Sequence, residues 1–228
     1  MCGRFVQAQD PEAYGRHFEA APVENLETTG PSFNVAPTHH VLAVVDRDGE
    51  RRLGRLRWGL IPRWADDPAA GSRHINARAE TLAEKPTFRG SFAGRRCIIP
   101  ADGFFEWERR PGGKVPHYVY RADGAPLALA GLWSSWRPKD GGERVASCAI
   151  ITTEPNRLMI SIHDRMPAVL PAEAWDLWLD PGFEDLGALQ SMLGPTGEDL
   201  AEHSVSTLVN SVRNDLPECI VPLESWPG

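Results

Sequence analysis

The 228-residue chain is expected to fold as one α+β domain spanning residues 1–228. A curved, mostly antiparallel, barrel-like sheet with a few flanking helices should form it, and three observations carry that expectation. Short apolar runs rich in β-branched and aromatic residues recur along the whole chain, broken by 20 prolines and 21 glycines. Helical periodicity is confined to four stretches. Strands and helices do not alternate, which argues against a doubly wound parallel sheet.

Taken in order, the first helical pattern covers 11–20, followed by strand-like runs at 41–45 and 53–60. A helix is expected over 77–85, then strands at 97–99 and 104–107. Gly112-Gly113 reads as the hairpin loop into a strand at 117–120. Strands at 127–133 and 146–152 follow. The segment 172–179 starts after Pro171, and Trp175, Leu177, Trp178 and Leu179 give it a broad apolar face. The last helix is expected over 184–193, within an acidic segment 171–228 that packs on the domain or lies at its periphery.

Composition narrows the function. Four cysteines (Cys2, Cys97, Cys148, Cys219) are far apart, without a CxxC pair, and the seven histidines form no ligand pattern with them. A zinc site and a disulfide framework are therefore not expected, and a reducing compartment is. No apolar run approaches the roughly 20 residues that span a bilayer, and the N-terminus carries no secretory pattern. A cytoplasmic, monomeric protein without metal or other cofactor is expected. The net charge of −7 is unevenly spread. Residues 51–96 hold eleven basic side chains against four acidic ones, whereas 171–228 hold eleven acidic residues and one base, Arg213. Arginine outnumbers lysine 21 to 3, and its planar fork suits bidentate phosphate contacts. A basic half of this kind permits a nucleic-acid partner; a solvated charged face is the plainer reading.

Five places combine chemistry with apolar surroundings. In Ile75-Asn76-Ala77-Arg78-Ala79-Glu80-Thr81, Asn76 and Arg78 sit at an expected helix start, able to bind an anion, unless Asn76 is simply an N-cap. Glu106 lies within Gly103-Phe104-Phe105-Glu106-Trp107. A carboxylate in apolar company has a raised pKa and suits proton transfer, whereas strand alternation would turn it to solvent. His163-Asp164-Arg165 precedes an apolar Met-Pro-Ala-Val-Leu run and offers an acid/base beside a cation, or a structural histidine. Trp58 and Trp64 flank Arg63 and offer either a stacking platform for bases or core. Finally, Cys2 follows Met1, and a small second residue is what methionine aminopeptidases accept. A mature chain beginning at Cys2 would carry an α-amine and a thiol on adjacent carbons. That pair condenses with an aldehyde to an imine and closes to a thiazolidine, which no internal cysteine can do. A frayed, arbitrary terminus is the alternative.

Six motifs occur in order: Met1-Cys2-Gly3-Arg4-Phe5, Phe33-Asn34-Val35-Ala36-Pro37-Thr38, Trp58-Gly59-Leu60-Ile61-Pro62, Asn76-Ala77-Arg78-Ala79-Glu80-Thr81, Gly103-Phe104-Phe105-Glu106-Trp107 and His163-Asp164-Arg165-Met166-Pro167. Together they resemble the SOS response-associated peptidase (SRAP) domain family across nearly the whole chain. His39-His40 stand where a glutamine is common, and the aromatics before Glu106 are Phe rather than Tyr. The acidic C-terminal segment is less typical.

The resemblance implies a single α+β domain and covalent capture of abasic sites in single-stranded DNA through a thiazolidine at the N-terminal cysteine. Family roles fall on Cys2 as nucleophile, Glu106 and His163 as proton-transfer groups and Asn76 as a positioning side chain. Arg4, Arg78 and Arg165 would contact phosphates, and Trp58 would pack near a neighbouring base. Two other functions stay open on sequence alone: a thiol autopeptidase using Cys2 as its N-terminal nucleophile, and a non-covalent single-strand binding module.

Overall fold

The computed structural model describes residues 2–24, 26, 30–197 and 199–225. The chain opens with β1 (Arg4–Gln7), helix α1 (Pro11–His17), β2 (Ala21–Pro22) and β3 (Ser32–Val35). Two long strands, β4 (His40–Arg47) and β5 (Glu50–Trp58), lead by a wide loop to the short β6 (Asn76–Arg78). After α2 (Arg89–Gly94) come β7 (Arg96–Ala101), β8 (Gly103–Arg110), β9 (Gly113–Arg121), β10 (Leu127–Trp136) and β11 (Val145–Thr153). The last third contributes β12 (Met166–Pro167), α3 (Trp175–Leu179), α4 (Leu186–Ser191) and β13 (Leu200–Ser204).

Five strands close into a barrel. β4 pairs with β5 and β7, β7 with β10, and β10 with β11, all antiparallel; β11 then meets β5 in parallel at Ser147↔Arg57 and Cys148↔Trp58. Closure removes the open edges that a free sheet would present. A second sheet in the order β13-β9-β8-β1-β3 lies against it. Strand alternation explains why 127–133 reads as a continuous apolar run. Leu127 and Leu129 pack in a cluster with Trp58, Cys148 and Ile150, while Ala128, Ala130 and Leu132 pack with Trp178 and Phe92 on the other face.

The α+β, barrel-like architecture agrees with the expectation, but the helices do not all lie where periodicity placed them. The helix expected over 77–85 is absent. Asn76–Arg78 instead pairs in parallel with Ile150–Thr152, and only a 3-10 turn, Ala79–Thr81, follows. The sheet ladder claims the backbone groups that a helix would have used. Asn76 is therefore not a helix N-cap, and no helix N-terminus is available there for an anion. The other three patterns survive in shortened form. α1 ends at His17, α3 is preceded by a 3-10 turn at Ala172–Ala174, and α4 is capped by Asp185, whose side chain accepts from the Ala188 amide. No helix among the described residues is long and apolar enough to cross a membrane.

Polar side chains in the interior tie the parts together. Buried Gln7 joins the two sheets: its amide donates to the Leu42 and Pro100 carbonyls, and its oxygen accepts from the Leu42 amide at 2.9 Å. The C-terminal segment packs on the second sheet, where Cys219 and Val209 are buried with Val6 and Phe105. Asp215 accepts there from the Phe33 and Asn34 amides. Arg96, 2% exposed, places its donors on main-chain carbonyls at two helix ends. Nη1 reaches Phe92 and Ala93 at 2.8 Å, Nε reaches Trp178 at 2.7 Å, and Nη2 bonds Asp180. One of the basic side chains in 51–96 is thus a structural pin.

Replacing Arg96 by Leu would strip several buried carbonyls of their donors at once, at about 1–3 kcal/mol for each one left unpaired. Arg96→Leu is expected to lower stability by roughly 3 kcal/mol or more in urea unfolding, with an unchanged m-value. A loss below about 1 kcal/mol would remove Arg96 from this role.

Candidate active site

Pairing of β1 with β8 in the register Arg4↔Phe105, Phe5↔Phe104 brings the N-terminal strand to the Glu106 end of β8. Cys2 lies just before that ladder and is fully buried. Its carbonyl accepts a 2.8 Å hydrogen bond from Asn76 Nδ2, and its Sγ lies 3.8 Å from the Arg4 carbonyl oxygen. Burial, reinforced by the neighbouring Glu106 charge, pushes the Cys2 thiol well above its ordinary pKa. The thiol is therefore held neutral.

Asn76 is placed by two supports. β6 is fixed by its ladder with β11, and the carbonyl of Ile75 accepts from the indole Nε1 of Trp58 at 2.9 Å. Asn76 Oδ1 is buried and has no hydrogen-bond partner among the described residues. One end of this amide thus holds Cys2, and the other keeps an acceptor in reserve. Gly59, at φ 124°, starts the loop that makes this possible. A Cβ there would come within 2.8 Å of the Gly71 carbonyl oxygen, so only glycine lets the two passes of the loop cross.

Glu106 is 2% exposed. The alternation argument identified its face correctly but not what covers it. Phe105 and Trp107 point into one cluster, whereas Phe104 and Glu106 point to the side that holds Cys2 and Trp58. Both faces of β8 are covered at Phe105 and Glu106. Burial raises the Glu106 pKa. His163 Nε2 stands 3.9 Å from Glu106 Oε2. The other ring nitrogen, Nδ1, accepts the Arg165 amide at 3.0 Å and lies equally close to Asp164 Oδ1. An amide can only donate, so in the neutral ring the proton sits on Nε2, facing Glu106; once Nδ1 is protonated, Asp164 can take that hydrogen bond. His163 lines a cleft of about 670 Å³ together with Trp107, Arg109, Ile160 and Asp164.

The remaining residues singled out from sequence fall into three situations. Trp58 is wholly buried and meets Phe5 edge-on at 5.0 Å, so it cannot offer a face to a base; that reading is corrected to core and support for Ile75. Trp64, six residues further on, is 65% exposed. Arg4 is half-buried, with Nη1 donating to Asn34 Oδ1 at 2.9 Å and to the Val209 carbonyl at 2.8 Å. Arg165 forms a two-pronged pair with Glu80, at 2.6 and 3.0 Å, and also donates to the Thr152 carbonyl. Arg78, at the end of β6, is exposed.

Sequence reading gave no role to Asn34, Asp164 or Glu80. Asn34 is fully buried; it receives Arg4 and donates to the carbonyls of Ser211 and Asn214, at 3.0 and 2.7 Å. Glu80 orients the arginine two residues after His163. Each stands inside a quoted motif, but no spacing rule links residues that meet only through the tertiary fold. Among the described residues no group of three or more His, Cys, Asp or Glu side chains could hold a metal ion.

Comparisons with known proteins identify the family. The family model for SOS response associated peptidase (SRAP) matches residues 1–212. The abasic site processing protein YoqW of Bacillus subtilis is 44% identical over 222 residues, covering 96% of this chain and 99% of that protein. The abasic site processing protein HMCES of Gallus gallus is 36% identical over 226 residues, covering 85% of this chain and 67% of that protein. A crystal structure of a protein from Bacteroides thetaiotaomicron matches with a TM-score of 0.85 at 26% identity, covering 97% of this chain and 99% of that one. Six ordered motifs, a barrel that assembles them and a family match over most of the length lead to one conclusion: the chain belongs to the SOS response associated peptidase (SRAP) family.

Proposed function

We propose that this protein processes abasic sites in single-stranded DNA by capturing them covalently, as a thiazolidine, through the α-amine and thiol of Cys2 after removal of Met1. One observation carries this reading: Cys2 is held by Asn76 beside a buried carboxylate, Glu106, which is itself within 3.9 Å of an imidazole. The names of the relatives, abasic site processing proteins, point the same way.

The chemistry assigns work to each group. An abasic deoxyribose is mostly a closed hemiacetal. His163, at the cleft, delivers and removes the protons that open it to the aldehyde. The Cys2 amine attacks C1′, forming the C–N bond; Glu106 takes the amine proton and returns it to the oxygen that leaves as water. The thiol then adds to the imine carbon, and its proton ends on the ring nitrogen, directly or by way of Glu106. Aldehyde and aminothiol become thiazolidine and one water, with no change of oxidation state. A carboxyl group whose pKa is raised by burial shuttles protons closer to neutral pH than a solvated one does. A thiol kept neutral by burial waits until the imine forms. Asn76 Oδ1 supplies an acceptor for a hydroxyl of the opened sugar. Exposed Arg78 and Trp64 offer a phosphate contact and a stacking face that fix strand register without reading sequence.

Cys2→Ala is expected to abolish the covalent band with abasic oligonucleotide on a denaturing gel while leaving binding to DNA. Cys2→Ser should give an adduct only when borohydride is added. A durable crosslink from Cys2→Ala would rule the thiazolidine out, and release of peptide without any DNA adduct would favour an autopeptidase.

Glu106→Gln keeps the shape and removes the shuttle. Single-turnover crosslinking should slow by about 10²–10⁴-fold. Stability gives a second, independent readout. Because the folded pKa of Glu106 is raised, the native state binds its proton more tightly than the unfolded chain, so stability falls as pH rises through that window. The Gln variant lacks this penalty. Its stability relative to the natural protein should be greatest near neutrality and shrink as pH is lowered towards about 4. Urea midpoints of both proteins across that range check the sign; an advantage that grows on acidification contradicts it.

A further inference from the structure

Away from Cys2, four arginines converge on one hollow. Arg63, Arg95, Arg137 and Arg144 line a pocket of about 360 Å³ together with Trp133 and Ser135 of β10, and no carboxylate among the described residues lines it. Arg95 Nε is buried and has no hydrogen-bond partner among the described residues. Burial, and then the charge of Arg63, lower the Arg95 pKa. Arg137 donates to the carbonyls of Gly142 and Gly141, at 3.4 and 3.5 Å. Asp66, three residues past Arg63, is already paired with Lys139 at 2.5 Å. Like charges gathered this closely repel one another unless an anion sits among them.

We propose that this pocket binds backbone phosphates of the same DNA strand at a distance from the captured lesion, a reading that rests on abasic DNA being the substrate. Arginine forks suit phosphate oxygens. Exposed Trp64, next to Arg63 in the chain, adds an aromatic face that a polynucleotide can use and an inorganic anion cannot. The pocket lies along the same strand that supports the Cys2 site. Asn76 is opposite Ile150, Trp133 and Ser135 are opposite Cys148 and Ala146, and Arg144 directly precedes β11. Six residues of extended chain span about 20 Å. Phosphates of a stacked strand advance about 3.4 Å each, so the pocket would be reached about six nucleotides from the lesion, and sooner on a stretched strand.

The test uses the full chain and oligonucleotides bearing a tetrahydrofuran abasic analogue, which binds but cannot open to an aldehyde. One has about three nucleotides on each side; two others extend one side or the other to about a dozen, beyond the estimated reach. The natural protein should gain affinity and a steeper salt dependence on one of the extended strands. Arg95→Ala/Arg144→Ala should lose that gain, its slope falling by about 1.4 for two single-strand phosphate contacts. Arg95→Lys/Arg144→Lys should keep most of the slope, which separates lost charge from a misfolded pocket. Equal slopes for the natural protein and the Ala pair on every strand would overturn the proposal. Thermal stabilisation by inorganic phosphate with no effect of the Ala pair on DNA slopes would overturn it as well, assigning the pocket to a free anion. Crosslinking of a short aldehyde-bearing oligonucleotide by the natural protein reads the Cys2 chemistry separately; failure there contradicts the abasic-site reading, whatever the long strands show.

Discussion

A ladder of three residue pairs, Arg4 to Val6 against Phe105 to Gly103, decides where the N-terminal cysteine lies, and the rest of the site is built around it. A chain terminus ordinarily frays because few contacts hold it. Here the first strand is internal to its sheet, between β3 and β8, and buried Gln7 ties its far end to the barrel. Arg4 anchors the near end through Asn34, which in turn gathers the carbonyls of the C-terminal segment. The last residues of the fold therefore help to fix the position of the first ones. Asn76 closes the frame on the other side through the Cys2 carbonyl, carried there by the parallel pairing of β6 with β11.

That frame places a carboxylate where water cannot reach it. Desolvation of Glu106 opposes its ionisation, and the same desolvation keeps the Cys2 thiol protonated. Both shifts act in the direction of the neutral form of each group. His163 sits at the border between this dry interior and the cleft, with one ring nitrogen towards Glu106 and the other towards Asp164. In the proposed mechanism this is the route by which a proton passes between the interior and the cleft. Arg165, clasped by Glu80, stiffens the segment that carries the histidine.

Much of this was legible in the sequence, and the failures have physical causes. Short apolar runs split by Gly and Pro announced the sheet, and Gly112-Gly113 marked its hairpin, with φ of 95° at Gly112. The barrel's closing contact, β5 with β11, joins segments some ninety residues apart, and no local pattern encodes it. The segment from Asn76 has helical composition but begins as a strand and continues as a 3-10 turn, because tertiary pairing outweighs a weak local preference. Site residues were recognisable as polar intrusions into apolar motifs. Their mutual placement was not, nor which of the two readings, core or stacking face, falls to each tryptophan: Trp58 and Trp64 stand six residues apart, one in the core and the other in solvent. Glu106 shows the limit of alternation as a guide, since period two assigns a face but cannot say whether water or protein covers it.

In the proposed mechanism an N-terminal aminothiol, not a side-chain thiol alone, makes the adduct. Intact mass of the complex between the natural protein and an abasic oligonucleotide tests it most directly. The expected mass is the sum of the chain without Met1 and the oligonucleotide, less one water, for an adduct stable without a reducing agent. An adduct of that durability on a chain that retains Met1 would contradict it, as would a mass that shows no loss of water.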